Sequence, residues 1–99
     1  MNKANVEIGK IIKTYRLKAN LSQMELSDKL GYGTPQFVSI IERGLSKAPY
    51  DKIGEMIIIL GIPEKIISKY LIEEFQEKLQ MQIRKVNVPQ DADGINRDK

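Results

Sequence analysis

Apolar side chains recur along the first part of the chain at the spacing of a helix with one buried face. Val6, Ile8, Ile11, Ile12, Tyr15 and Ala19 follow that pattern, while Lys10, Lys13 and Lys18 fall mostly between them. A first helix is expected over residues 4–19. Ser22, followed three residues later by Glu25, forms a capping box that opens a second helix from Gln23 to Leu30. Leu26 and Leu30 face inward, and Gly31 is a natural left-handed stop. After Tyr32-Gly33, Thr34 serves as an N-cap and Pro35 sits at the first helical position, where its missing N–H costs nothing. The third helix then runs to Arg43 and stops at Gly44. Val38 and Ile41 face the core, which leaves Gln36, Ser39, Ile40 and Arg43 pointing outward and Phe37 at the boundary.

A fourth helix is expected from about Tyr50 to Leu60, closed by Gly61. Its Met56-to-Leu60 run is apolar on more than one face. Met56, Ile57 and Leu60 can line a core, so Ile58 or Ile59 must point elsewhere. Pro63 restarts the chain, and no breaker follows until Pro89. The fifth helix therefore runs from Pro63 to about Val86. Ile66, Ile67, Tyr70 and Leu71 can pack on the domain. Ile72, Leu79 and Val86 recur at seven-residue intervals beyond it, with Phe75 and Ile83 beside them. Too little chain remains to cover this stripe within one copy, so a homodimer seam is the economical account. A helix folding back on its own domain is the competing one. Residues 87–99 are polar and aperiodic and read as a disordered tail.

The elements together predict an all-α chain of five helices: a domain over residues 1–62, an extended C-terminal helix over 63–86 and a tail over 87–99. With 41% apolar and 29% charged residues, the composition suits an ordinary globular protein rather than a disordered one. No Cys and no His are present, which removes the commonest metal ligands, the commonest general base and any disulfide. An enzyme, a metal site and a cofactor are not expected. No apolar run approaches the ~20 residues of a membrane span, and the lysines interrupt any secretory pattern, so a cytoplasmic protein is expected.

Charge is unevenly placed. Residues 1–52 carry nine Lys/Arg against five Asp/Glu, whereas residues 53–99 carry seven against eight. A basic first half suits a module that meets phosphate at one end and protein at the other; a plain solvated basic face accounts for the charge equally well. The outward face of the third helix is more specific. An amide such as Gln36 can pair with adenine in the major groove, and a bare isoleucine such as Ile40 can meet a thymine methyl. For Ile40 a protein contact is as good an account, and Phe37 is better read as packing on the core or turn.

In Ile8-Gly9, Arg16, Leu21-Ser22-Gln23, Glu25-Leu26, Leu30-Gly31, Val38-Ser39, Ile41-Glu42-Arg43-Gly44 and Leu60-Gly61-Ile62, the chain resembles the Cro/repressor-type (XRE) helix-turn-helix family. The resemblance covers about residues 6–62. It implies a five-helix bundle whose second and third helices bind double-stranded DNA, commonly as a homodimer on a palindromic operator. It further implies base reading by Gln36 with Phe37, Ser39 and Ile40 at neighbouring positions, a phosphate contact from Gln23, and a backbone contact from Arg43. Arg16 and Glu42 match a pair that ties the first helix to the third in relatives. The turn is one residue longer than the usual pattern, and Pro35 replaces a polar residue that often meets DNA, which shifts weight onto Gln36. Lys10 and Lys47 are further candidate phosphate contacts. The leading expectation is a homodimeric transcriptional repressor with the seam along Ile72, Phe75, Leu79, Ile83 and Val86. The alternative is a protein-interaction module, such as the antitoxin of a toxin–antitoxin pair, that binds a second protein through its C-terminal helix.

Overall fold

The computed structural model describes residues 2–86, so the tail expected over 87–99 lies outside the described residues. Five helices follow one another: α1 (Lys3–Lys18), α2 (Gln23–Lys29), α3 (Gln36–Glu42), α4 (Tyr50–Leu60) and α5 (Glu64–Val86). No strand occurs among the described residues, and the chain is all-α. None of these helices is long and apolar enough to cross a membrane.

Local chemistry accounts for most boundaries. Asn2 caps α1 by accepting from the Asn5 N–H at 2.9 Å. The capping box at α2 is complete: Glu25 N–H donates to Ser22 Oγ at 2.9 Å, and Ser22 N–H donates to Glu25 Oε1 at 2.7 Å. The first four helices then end alike, with a left-handed residue followed by a backbone bond reaching back five residues. Leu21 donates to Arg16 O, Tyr32 to Ser27 O, Leu45 to Ile40 O and Ile62 to Ile57 O, at 2.9–3.1 Å. The left-handed residues are Asn20, Gly31, Gly44 and Gly61. Asn20 adopts φ +60 without being glycine, which its short polar side chain tolerates.

Several boundaries shift by a residue relative to the sequence-based expectation. Pro35, not Thr34, is the N-cap of α3, because its carbonyl accepts the first intrahelical bond from Ser39 N at 3.0 Å. Thr34 Oγ1 reaches only the Gln36 N–H, at 3.4 Å. Ala19, expected on the buried face of α1, is instead the exposed C-cap residue.

Ile8 and Ile12 of α1, Leu26 of α2, Val38 and Ile41 of α3, Ile53, Met56 and Leu60 of α4 and Ile67 of α5 form one core, joined by Leu30 and Ile62. The core thus extends past residue 62 into the first turns of α5. Ile66, Tyr70 and Leu71 are half-buried around Ile67. Ile58 is the α4 residue left outside, 81% exposed. Beyond Glu74, which Asn2 and Lys47 still hold, α5 projects from the domain. Ile72, Phe75, Leu79, Ile83 and Val86 stand 46–75% exposed, and no other described element covers them.

Candidate nucleic-acid interface

The segment from α2 through the turn to α3 presents one outward face, and three contacts fix α3 beneath it. The first is a buried ion pair. Arg16 Nε donates to Glu42 Oε2 at 2.6 Å, and Nη2 donates to Oε1 at 3.1 Å. The side chains are 8% and 3% exposed. Arg16 Nη1 also donates to Leu21 O at 2.7 Å, so one guanidinium fork binds α1, the α1–α2 turn and α3. The second is a close backbone approach at Gly9. A Cβ there would lie 2.4 Å from Ile41 O and 2.7 Å from Glu42 O, so only glycine lets α1 cross the end of α3 at this distance. The third is Gly44, whose φ of +72 and packing against the Val6 backbone hold the exit of α3 on α1.

The turn is clamped from above. The Tyr32 and Phe37 rings stack with centroids 4.4 Å apart and planes 20° from parallel. Lys52 of α4 reaches across to donate to Leu30 O at 2.8 Å and lies 5.3 Å from the Tyr32 ring centre. The longer turn therefore has its own internal packing. Phe37 is half-buried in that stack, and its ring is engaged with the turn.

The structure distributes the remaining candidates unevenly. Gln36 is exposed at the start of α3, Ser39 and Ile40 are half-buried along it, and Arg43 is exposed at its end. Arg43 Nε bonds back to Ser39 O at 3.3 Å, and the guanidinium has no carboxylate partner among the described residues. Gln23 is half-buried at the start of α2. Its amide nitrogen donates to Glu42 Oε1 at 3.0 Å, making it a third donor to the buried carboxylate. Lys10 is solvent-exposed and pairs loosely with Glu7 at 3.6 Å.

Lys47 lies exposed in the loop between α3 and α4. It pairs with Glu74 of α5 at 3.4 Å and sits 5.3 Å from the Tyr50 ring centre. Glu74 also accepts from Asn2 Nδ2 and pairs with Lys78 at 3.5 Å. Burial pushes the Glu74 carboxyl up, but the Asn2 hydrogen bond and the Lys47 and Lys78 charges outweigh it and hold it below the ordinary range. Burial likewise pulls Lys47 down, and the Glu74 charge with the Tyr50 hydroxyl reverses this and raises it. Sequence reading missed this cluster and the Lys52 clamp. Both join residues far apart in the chain, and no local pattern announces them.

No protein-family model and no curated protein matches the chain. Among solved structures, the clp gene regulator ClgR from Corynebacterium glutamicum superposes with a TM-score of 0.58, covering 81% of this chain and 89% of that one at 16% identity. The chain shares the fold of a gene regulator. At this identity the likeness concerns architecture, and the residues of the interface must be argued from their own geometry.

Proposed function

We propose that the protein is a sequence-specific, double-stranded-DNA-binding transcriptional regulator of the XRE helix-turn-helix type, acting as a homodimeric repressor on a palindromic operator. The observation that carries this reading is α3 itself. One side is fixed to α1 by Arg16–Glu42, Gly9 and Gly44; the other offers Gln36, Ser39, Ile40 and Arg43. A rigid short helix with an amide at its entry and a guanidinium at its exit suits a major groove, where the amide specifies and the guanidinium meets phosphate. The shared fold with a clp gene regulator supports a regulatory role. The role is one of binding in the cytoplasm, without catalysis or cofactor.

Selection of bound duplexes from a random pool tests the reading. A symmetric site is expected, with half-site centres about one helical turn (~34 Å) apart. Gln36→Ala should relax preference at one base position by about 1–3 kcal/mol. Arg43→Ala should weaken binding to all duplexes and lower the salt slope by about 1. A footprint that Gln36→Ala leaves unchanged in position and affinity would remove α3 from the groove.

The uncovered stripe of α5 favours a second reading, a module whose C-terminal helix binds another protein such as a toxin. Light scattering separates the two. A stable homodimer supports the first, and a monomer that pairs only with a second protein supports the second.

A further inference from the structure

The apolar stripe on α5 has an internal symmetry. Ile72, Phe75, Leu79, Ile83 and Val86 are spaced by three, four, four and three residues, so the series reads alike in both directions about Leu79. At 100° per residue, as 3.6 residues per turn requires, all five lie within about 40° of Leu79 on one straight face. A palindromic stripe can meet a reversed copy of itself with every apolar position opposed: Ile72 to Val86, Phe75 to Ile83, Leu79 to Leu79. Such self-complementarity is what a two-fold interface demands.

Charge decides the direction. Glu73 and Glu77 are exposed just after the stripe begins, and Arg84 and Lys85 are exposed at its end. Glu74 is occupied by Asn2, Lys47 and Lys78, whereas Arg84 and Lys85 have no carboxylate partner among the described residues. A parallel pair would set the acidic block beside its own copy and the basic block beside its own. An antiparallel pair centred on Leu79 sets Glu73 level with Lys85 of the other copy, whereas Glu77 falls level with Met81. Opposite charges then stand at the same level at both ends of the pair, on the sides of the helices turned away from the stripe.

We propose that α5 pairs antiparallel with α5 of a second copy, on a two-fold axis through Leu79. At the Ile72 end the stripe runs on through Leu71 and Ser68 into the open groove between α4 and α5, where Ile58 stands exposed. Val86 of the second copy, level with Ile72, then lies at the edge of this groove. The geometry also sets a span. Ile67, the most buried residue of α5, lies twelve residues before Leu79. The two Ile67 anchors are therefore about 36 Å apart along the helix axis at 1.5 Å per residue. One turn of DNA separates half-site centres by about 34–36 Å. The pairing rests on the homodimer reading above and gives it a ruler.

The chain has no native cysteine, so single cysteines can be placed on exposed seam positions of the full-length protein. Ile72→Cys and Val86→Cys are made separately, purified reduced, mixed and mildly oxidised. In an antiparallel pair the two copies of position 72 lie about 21 Å apart, beyond disulfide reach, whereas position 72 of one copy is adjacent to position 86 of the other. The expected result is a gel shift to twice the chain mass in the mixture and none with Ile72→Cys alone. A disulfide formed by Ile72→Cys with itself overturns the antiparallel direction and leaves the homodimer standing. A dimer by light scattering that forms neither disulfide overturns this seam. A monomer by light scattering overturns the homodimer reading together with the pairing.

Discussion

Replacing Glu42 by Leu should destabilise the domain by about 3–5 kcal/mol, because it leaves the Arg16 guanidinium buried with only Leu21 O as a partner. Arg16→Met should cost a similar amount, since Glu42 would then keep only the Gln23 amide. Replacing both removes both charges and the penalty of stranding either. The double variant should lose only about 1–3 kcal/mol, mainly from leaving the Leu21 carbonyl and the Gln23 amide without a partner. The two changes should therefore couple by about 3 kcal/mol or more. These magnitudes are large against the roughly 4–13 kcal/mol of total stability expected for the 85 described residues. Urea unfolding of the four proteins, followed by far-ultraviolet circular dichroism, measures the cycle. With a slope of about 1.5 kcal/mol per molar, each single variant moves its midpoint down by roughly 2–3 M. A single change costing less than about 1 kcal/mol, or a double variant that loses the sum of the singles, would refute the coupling.

Gly9→Ala should destabilise by about 1–3 kcal/mol although alanine is the better helix former by up to about 1 kcal/mol, because its Cβ meets the Ile41 and Glu42 carbonyls; a raised melting temperature would rule out the close crossing. Ser27 is fully buried, and its hydroxyl has no partner among the described residues. Ser27→Ala should be neutral or stabilising by up to about 1 kcal/mol in the same urea assay, and a loss above about 1 kcal/mol would show that the hydroxyl is satisfied. The Glu74 carboxyl is held below its ordinary range, so its contribution is present above that range and is lost as pH falls through the lowered value. Glu74→Gln should flatten the fall in stability below about pH 4, while an unchanged acid slope would show that the Asn2–Lys47–Lys78 cluster adds nothing there.

The helices were legible because their signals are local. Capping residues, prolines and glycines lie within a few positions of the ends they set, and Gly31, Gly44 and Gly61 act at the predicted stops. The end of α1 was less clear because Asn20 does the work of glycine there, and an asparagine after a helix has several other uses. The outward face of α3 followed from periodicity, which left Gln36 and Arg43 exposed and buried Val38 and Ile41. Side-chain partners were the harder part. Gln23 could donate to a phosphate or to a protein acceptor, and only the position of Glu42 in space decides which acceptor it meets in this structure. Lys47 counted toward a basic face in the sequence, yet α5 brings Glu74 to it. A charge total cannot register that pairing.

These partners change what the basic first half of the chain means. Arg16 is buried, Lys52 clamps the turn and Lys47 holds α5 against the domain, so three of its cations serve the fold. Arg43 is left as the exposed guanidinium at the exit of α3, with Gln36 at its entry. The two lie seven residues apart, about 10 Å along the helix, close to the spacing of three base pairs. One copy of α3 would thus read a short stretch, too little to distinguish one operator from the many near-matches in a genome. In the proposed dimer, specificity would come from two copies held at a fixed distance. The uncovered stripe of α5 is the part of the described chain suited to hold them, so selectivity should depend on Leu79 as much as on Gln36.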